Sequence, residues 1–280
     1  MGTSNRFLNK VVVITGGGSG IGKALAEAFT AEGAHVVVVD LHGHFAVAEL
    51  LGGDAFTCDV TDAVQIRNMI QAVRQKWNRI DIYCSNAGIM IPPKVVDAAE
   101  DHVAKYSDDQ WTRVYLTNVQ SHVIAARELI TVDNPFKGGI FVITASAAGV
   151  LAIPEDASYG VSKAAAVSFA EHLAIIHHPS IRVLCLCPMA VDTPFMGDSI
   201  GDAPLNSAVL DGIVTAGHVA DCTLDAILEK EAFWIFPHEK VPSYIQIKAN
   251  QHSRWLKGMQ RIRQRLRLQG GNNSKIQSKL

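Results

Sequence analysis

Residues 11–22 read VVVITGGGSGIG, a run of apolar residues that passes directly into a glycine-rich turn. The β-branched run predicts a buried strand over 11–14, and the spacing of the residues that follow predicts an amphipathic helix over 20–32. Glycines at such a junction let the backbone approach a pyrophosphate, which the N–H groups of the helix N-terminus bind. The stretch therefore predicts a dinucleotide site, with a merely structural turn as the alternative.

The alternation of strand and helix patterns continues along the chain. Apolar runs over 36–39, 80–84, 140–143 and 181–186 predict strands, and amphipathic segments over 61–77, 107–131 and 157–178 predict helices. The strand runs are apolar at every position, which is typical of parallel strands covered on both faces. We therefore predict an α/β fold built on a single Rossmann-type doubly wound parallel sheet with helices on both faces. The irregular segments 89–106 and 193–217 follow strand ends and are expected to form the walls of a substrate pocket.

The composition limits the kinds of partner. The 280 residues include 25 Lys or Arg and 27 Asp or Glu, a balance that favours neither nucleic acid nor an acidic ligand. The cysteines show no metal-binding spacing, so free thiols, a reducing cytoplasm and no metal site are expected; they are Cys58, Cys84, Cys185, Cys187 and Cys222. The histidines are expected at helix ends or on the surface. The sequence shows no signal core and no apolar run of membrane-spanning length, so no membrane partner is expected.

The second predicted strand ends at Asp40, about 20 residues beyond the glycine turn. A carboxylate at this position can accept hydrogen bonds from both hydroxyls of an adenosine ribose, and it repels a 2′-phosphate. Neither Ser19 nor Leu41 supplies a positive charge that would offset this repulsion. Asp40 therefore favours NAD over NADP, with a helix N-cap as its alternative role.

Tyr159 and Lys163 stand four residues apart at the start of a predicted helix, and so on one face of it. A cation beside a phenol favours the phenolate, so Lys163 is expected to lower the pKa of Tyr159 toward a value useful for proton transfer. Taken alone the pair is common on helix surfaces, and a solvated pair is the alternative.

These features occur together in one order: the glycine turn, Asp40, Asp59-Val60, Asn86-Ala87-Gly88, Asn118, Ser146 and the Tyr159-Lys163 pair. In this order and spacing the chain resembles the classical short-chain dehydrogenases/reductases over roughly residues 8–236. The resemblance implies that Tyr159 is the acid/base, that Lys163 also holds the nicotinamide ribose, and that Ser146 bonds the reacting oxygen. It implies further that Asn118 holds a water linking Lys163 to solvent.

The resemblance also predicts the remaining contacts. The cofactor residues it implies are Gly16, Gly18, Ser19, Gly20, Ile21, Gly22, Asp40, Leu41, Asp59, Val60, Asn86, Ala87, Gly88, Tyr159, Lys163, Val191 and Thr193. After the sixth strand the family pattern is Pro-Gly, and here Met189 replaces that glycine. The expected substrate residues are Ser146, Ala148, Met189, Phe195 and Met196, with Val150 and Ile153 as further candidates. Apart from Ser146 these residues are apolar, which indicates a lipophilic alcohol or ketone.

The predicted function is therefore NAD-dependent transfer of a hydride to or from a secondary alcohol or ketone, by a homo-oligomer that is a tetramer or a dimer. Two alternatives remain at this point. One is an NAD-binding regulatory protein without turnover, and the other is a lyase or epimerase that uses the same tyrosine and lysine. All four of Asn118, Ser146, Tyr159 and Lys163 are present, which favours the oxidoreductase.

Residues 1–250 are expected to form the NAD-binding catalytic domain, and residues 251–280 a basic C-terminal extension. Apolar residues recur every three or four positions over 244–268, which predicts a helix that docks beside the substrate loop; the stripe comprises Leu256, Met259, Ile262 and Leu266, with Trp255 beside it. No acidic residue follows Glu239, so a basic face would remain outward. The alternatives are a helix that binds a membrane surface or an acidic partner, and disorder. Beyond about residue 268 the chain is expected to be flexible.

Overall fold

The computed structural model describes residues 5–91, 106–130, 136–196 and 207–277, with the side chains of the last helix described to Arg265. Its strands are β1 (Val11–Thr15), β2 (His35–Asp40), β3 (Asp54–Thr57), β4 (Ile82–Ser85), β5 (Ile140–Thr144), β6 (Arg182–Leu186), β7 (Val191–Asp192), β8 (Val214–Thr215) and β9 (Trp234–Ile235). Seven of them form one sheet in the order β3-β2-β1-β4-β5-β6-β9, and every pair in it is parallel. Strands β7 and β8 pair separately.

Helices cover both faces of the sheet. They are α1 (Gly20–Ala31), α2 (His44–Leu51), α3 (Ala63–Trp77), α4 (Asp108–Tyr115), α5 (Ser121–Leu129), α6 (Ala147–Leu151), α7 (Ala157–His177), α8 (Ala216–Leu228), α9 (Val241–Asn250) and α10 (His252–Gln277). Successive strand side chains point to opposite faces. Accordingly Val11 and Val13 pack with α3, α5 and α7, whereas Val12 and Ile14 pack with α1, α2 and α8. The predicted doubly wound parallel sheet is confirmed.

Some elements differ from the sequence-based expectation. Strands β3 and β9 were not expected, because β3 has only two apolar residues between Asp54 and Thr57 and β9 is only two residues long. The helix expected over 107–131 is α4 and α5 joined by a π-helical turn at Leu116–Gln120. Side-chain caps start several helices as expected for polar residues at such positions: Asp62 caps α3, and Ser107 forms a capping box with Gln110 at the start of α4.

The C-terminal segment forms two helices instead of one. The helix breaks at Gln251, and α10 continues to Gln277, past the end expected near residue 268. The Trp255 indole donates a hydrogen bond of 3.2 Å to the Leu151 carbonyl of α6 and packs against Tyr244 of α9. In the structure α9 and the first turns of α10 therefore pack against α6.

We expect a chain that ends at Asn250 to melt roughly 3 to 8 °C lower than the full chain, since it loses the Trp255 packing and hydrogen bond. A chain that ends at Gln269 keeps every described side-chain contact of α10 and serves as the matched control. Calorimetry of the three proteins measures the difference. Equal melting temperatures for the 250-residue and full-length chains would contradict a docked α10.

Candidate active site

A cleft of about 970 Å³ lies at the carboxyl ends of the sheet strands. The strand order reverses between β1 and β4, so the loops after these two strands diverge and leave a crevice between them. The glycine turn and the ends of β2 and β4 line one half of the cleft, while α6, the loop after β6, α9 and α10 line the other. The site therefore has a cofactor-like half and an apolar half.

The glycine turn after β1 is held by close approaches that a side chain would block. Gly16 has a φ of +67°, and a Cβ there would lie 2.9 Å from the Ala87 Cα. A Cβ on Gly22 would lie 2.0 Å from the Gly16 carbonyl oxygen. Ser19 begins α1 without a side-chain capping bond, and the first turn of the helix holds no acidic residue. Free N–H groups and the positive end of the helix dipole therefore remain available to an anion.

Asp40 ends β2 beside the glycine turn and lines the cleft. Its Oδ2 accepts the Gly18 N–H at 2.9 Å, and its Oδ1 accepts the Leu41 N–H at 2.7 Å. It does not cap α2, whose N-cap is Gly43. The glycine turn thus orients the carboxylate of Asp40, the residue predicted from the sequence to contact the adenosine ribose.

Fifteen of the seventeen cofactor residues expected from the sequence line the cleft, whereas Gly18 and Gly22 do not. Asp59 is held by Thr61, which donates to its Oδ1 from both its N–H and its hydroxyl. Asn86 ties three strands together, since its Nδ2 donates to the Thr15 carbonyl at 3.0 Å and its Oδ1 accepts the Thr144 hydroxyl at 3.0 Å. The donors, glycines and acidic residue fit a nicotinamide dinucleotide.

Lys163 lies beneath the cleft on α7, which Asp156 caps through the Tyr159 N–H. Its Nζ is buried and donates to the Thr144 carbonyl at 2.8 Å. Burial lowers the pKa of Lys163 to about 8. A Cβ on Gly88 would lie 3.3 Å from this Nζ, so a glycine here leaves room for the lysine close to the end of β4.

The Tyr159 ring lies in the cleft with its centroid 5.7 Å from the Lys163 Nζ. Burial raises the pKa of Tyr159 to about 12, while a hydrogen bond with Ser146 acts in the opposite direction. The expectation that Lys163 would lower the pKa of Tyr159 is therefore not met in the site as it stands, because desolvation of the phenolate, with the charge of Asp156 acting in the same direction, raises that pKa. Ser146 itself caps α6 by accepting the Ala148 N–H at 3.1 Å.

Asn118 lies in the π-helical turn and is fully buried. Its amide is used within the protein: Nδ2 donates to the Ile89 carbonyl at 2.8 Å and to Ser162 Oγ at 3.0 Å, and Oδ1 accepts the Ile89 N–H at 2.8 Å. It does not line the cleft. Asn118 therefore joins the segment after β4 to the helix that carries Tyr159 and Lys163.

All five expected substrate residues line the apolar half of the cleft, as does Ile153. Val150 does not; its side chain packs with α9, and its carbonyl accepts Lys248 Nζ at 2.5 Å. Met189 occupies the family's glycine position, and its N–H donates to His238 Nδ1 at 3.2 Å. Several apolar residues of the C-terminal helices line the cleft although the sequence analysis did not assign them to it. The apolar stripe of that analysis, with Trp255 beside it, indicated some of them. They are Tyr244, Ile247, Trp255, Met259 and Ile262.

Among the histidines that the structure describes, three are buried: His44, His122 and His238. His44 stands at the start of α2, as expected for a helix end, whereas His122 and His238 depart from the expected helix-end or surface positions. Each ring has at least one hydrogen-bond partner, although His44 Nδ1 and His122 Nε2 are buried without a partner among the described residues. His122 Nδ1 lies 2.7 Å from Ser85 Oγ, and burial, together with the charge of Lys163, lowers its pKa to about 3. His238 Nε2 lies 3.1 Å from the Ala190 carbonyl, so this ring fixes the backbone on both sides of Met189.

The part of the chain that the structure describes was expected to hold neither a metal site nor a membrane-spanning helix. No group of three His, Cys, Asp or Glu side chains there is placed to hold a metal ion. Across the same residues, none of the helices combines the length and the apolar character that a membrane crossing requires.

The profile of the short chain dehydrogenase family matches residues 10–203. The chain is 32% identical over 236 residues to short chain aldehyde dehydrogenase 1 of Euphorbia lathyris, covering 80% of both proteins. It is 30% identical over 205 residues to a 3beta-hydroxysteroid dehydrogenase of Mediterraneibacter gnavus, covering 70% of this chain and 71% of that one.

Among solved structures, the fold is similar to a short chain dehydrogenase/reductase from Burkholderia phymatum in complex with NAD. The TM-score is 0.75 at 25% identity, covering 89% of this chain and 95% of the other. The family profile spans the glycine turn, the end of β2 and the helix that carries Tyr159 and Lys163. The chain therefore belongs to the short-chain dehydrogenase/reductase family.

Proposed function

We propose that the protein is an NAD-dependent oxidoreductase that moves a hydride between the nicotinamide and a lipophilic secondary alcohol or ketone. The observation that carries the proposal is the meeting of Tyr159, Ser146 and the buried Lys163 in one cleft with the glycine turn. Screening NAD reduction against secondary alcohols of increasing apolar size tests it. Turnover with none of them, by protein that binds NADH, would favour a regulatory role.

Residues along the cofactor half of the cleft could hold the successive parts of a dinucleotide. The first turn of α1 would receive the pyrophosphate, and Asp40 would accept the hydroxyls of the adenosine ribose. Lys163 would hold the nicotinamide ribose from below, and Val191 and Thr193 would contact the carboxamide. When bound, the oxidised dinucleotide supplies the carbon that accepts the hydride and a positive charge that favours the phenolate of Tyr159.

The protein's own part in the reaction is movement of one proton and fixation of one oxygen. During alcohol oxidation the phenolate oxygen of Tyr159 accepts the hydroxyl proton of the substrate, and Ser146 donates a hydrogen bond to the same oxygen. The buried ammonium of Lys163 stabilises the phenolate before the transfer. Asn118 acts by position, since its amide joins the Ile89 backbone to α7.

The substrate proposal rests on the apolar half of the cleft. The ring centroids of Phe195 and Tyr159 are 6.0 Å apart. An apolar group of the substrate could therefore bind directly beside the acid/base. Met189 and Met196 supply flexible thioethers that adapt to irregular shapes. The name of one relative, 3beta-hydroxysteroid dehydrogenase, denotes a secondary alcohol on a large apolar body. The apolar body of such an alcohol matches the apolar lining of this half of the cleft.

We also propose that the protein is cytoplasmic and forms a homo-oligomer. All five cysteines are free thiols, and four are buried, which suits the reducing cytoplasm. Apolar side chains are exposed on two helix surfaces near α4 and α7, which suits an interface between copies of this chain; they are Tyr115, Leu116, Val161, Ile175 and Ile176.

Tyr159→Phe should lower kcat by a factor of about 100 to 10,000, because it removes the proton acceptor and leaves the ring in place. Binding of NADH, followed by its fluorescence, should change little. Tyr115→Phe removes an exposed hydroxyl away from the cleft and is the matched control. Lys163→Ala should impair both turnover and NADH binding. A Tyr159→Phe enzyme that keeps a tenth of wild-type turnover would rule out the assigned role.

We expect kcat/KM with NAD to exceed that with NADP by about tenfold or more, because Asp40 faces the additional phosphate. Asp40→Asn keeps an acceptor for the Gly18 N–H while removing the charge, and should narrow the ratio. Asp221→Ala removes an exposed carboxylate on α8 and should leave it unchanged. Kinetics with both cofactors give the ratios, and equal efficiency in the wild type would refute this assignment.

Light scattering at micromolar concentration should give the mass of a tetramer or a dimer. Ile175→Glu together with Val161→Glu should lower that mass, because both replace exposed apolar side chains of α7 with charge. Leu50→Glu, on the exposed side of α2, is the matched control. A wild-type protein that is monomeric under these conditions would exclude the proposed interface.

A further inference from the structure

The charge of this chain is divided sharply along its length. Residues 240–280 contain ten Lys or Arg and no Asp or Glu, so the first 239 residues hold the other 15 basic residues and all 27 acidic ones. The two parts thus have formal net charges of +10 and −12 at neutral pH, although the whole chain is nearly balanced. A C-terminal segment of this charge attracts an anionic surface, whereas the rest of the chain is repelled by it.

In α10 four of the basic side chains form a stripe beside the cleft. They recur three or four residues apart, which places them on one side of the helix; we call Arg254, Lys257, Arg261 and Arg265 the cationic stripe. All four are exposed, and none makes an ion pair with any described residue. The neighbouring side of α10 carries Trp255, Met259 and Ile262, which line the cleft. The cationic stripe therefore borders the cleft, and its four charges make no ion pair with the described residues.

Apolar side chains are exposed around the same cleft. Phe195, Leu210 and Ile247 all line it, yet 42%, 56% and 39% of their respective surfaces remain accessible. Leu256, on α10 between Trp255 and Lys257, is 47% exposed. Apolar groups of this size beside unpaired cations are the combination found on surfaces that enter the headgroup region of a bilayer.

We propose that this face docks on an anionic lipid bilayer, with the cationic stripe on the headgroups and the cleft opening toward the membrane. A protein seated on the exposed Phe195 and Leu210 would cover the cleft and exclude the substrate. A bilayer accepts apolar side chains and is a source of lipophilic molecules. The negative body of the protein would be repelled, which selects the orientation with α10 toward the lipid. Substrate delivery from the bilayer rests on the proposed function, whereas docking does not.

Sedimentation of the full chain with vesicles tests the proposal. Wild type should bind vesicles of phosphatidylcholine mixed with phosphatidylserine and should not bind phosphatidylcholine alone. The triple variant Lys257→Gln, Arg261→Gln, Arg265→Gln should bind the mixed vesicles on the order of 100-fold more weakly, at about fivefold for each residue. None of these three residues lines the cleft, so oxidation of a water-soluble alcohol by the variant should match the wild type.

Two controls separate the stripe from charge in general. The variant Lys257→Arg, Arg261→Lys, Arg265→Lys keeps the charges and should bind mixed vesicles as wild type does. Lys137→Gln with Lys230→Gln removes exposed charges elsewhere and should also bind normally. Equal binding of the triple glutamine variant and wild type would overturn the proposal, as would equal binding to both vesicle types.

A smaller mass of the triple glutamine variant in light scattering, with vesicle binding unchanged, would instead assign the stripe to contacts between subunits. NADH binding is measured separately by fluorescence. A protein that binds vesicles but neither binds nor reduces the dinucleotide would leave docking in place and refute the oxidoreductase, so the two failures are distinguishable.

Discussion

The burial of the Lys163 ammonium is the constraint on which the rest of the site depends. A charged amine in the interior must be hydrogen-bonded, and here the end of β5 supplies the acceptor through the Thr144 carbonyl. The side chain of that same threonine donates to Asn86, which in turn is bonded to β1 at Thr15. The ends of three parallel strands are thereby fixed around one cation. Its charge also reaches His122, whose neutral form it favours.

The position of this cation depends in turn on α7 and its neighbours. Asp156 starts the helix, and Asn118 joins it to the segment after β4. The π-helical turn at Leu116–Gln120 adds a residue to the helical turn that holds Asn118, a feature often found at functional sites. The fold thus places a cation, a phenol and a hydroxyl in one cleft.

Those parts of the site that depend on local chemistry could be predicted from the sequence. The glycine turn, Asp40 and the Tyr159-Lys163 pair follow from short-range spacing, and Gly16, Gly20, Asp40, Tyr159 and Lys163 line the cleft in the structure. Long-range packing could not be predicted in this way. The buried His122 and His238, the π-helical turn and the raised pKa of Tyr159 all depend on segments that are distant in sequence. The direction of that pKa is set by burial, which a four-residue spacing does not report.

The same distinction separates the two halves of the cleft. The cofactor half is built at strand ends and a helix N-terminus, where backbone geometry limits the residues that fit. The apolar half is built from loops and from α9 and α10, whose approach depends on single contacts such as the Trp255 bond to Leu151. Met189 shows the consequence: its replacement of a glycine is visible in the sequence, but its anchoring by His238 is not.

Burial favours the neutral phenol of Tyr159, and the positive charge of a bound oxidised dinucleotide would favour its phenolate. Ultraviolet difference titration of tyrosinate, in wild type and Tyr159→Phe with and without NAD, tests it most directly. The difference between the two proteins isolates one tyrosine among the five in the chain. We expect burial to keep the pKa of Tyr159 raised, at about 12, in the free protein, and NAD to lower it markedly. Ionisation near neutral pH without NAD, or a titration that NAD does not shift, would contradict it.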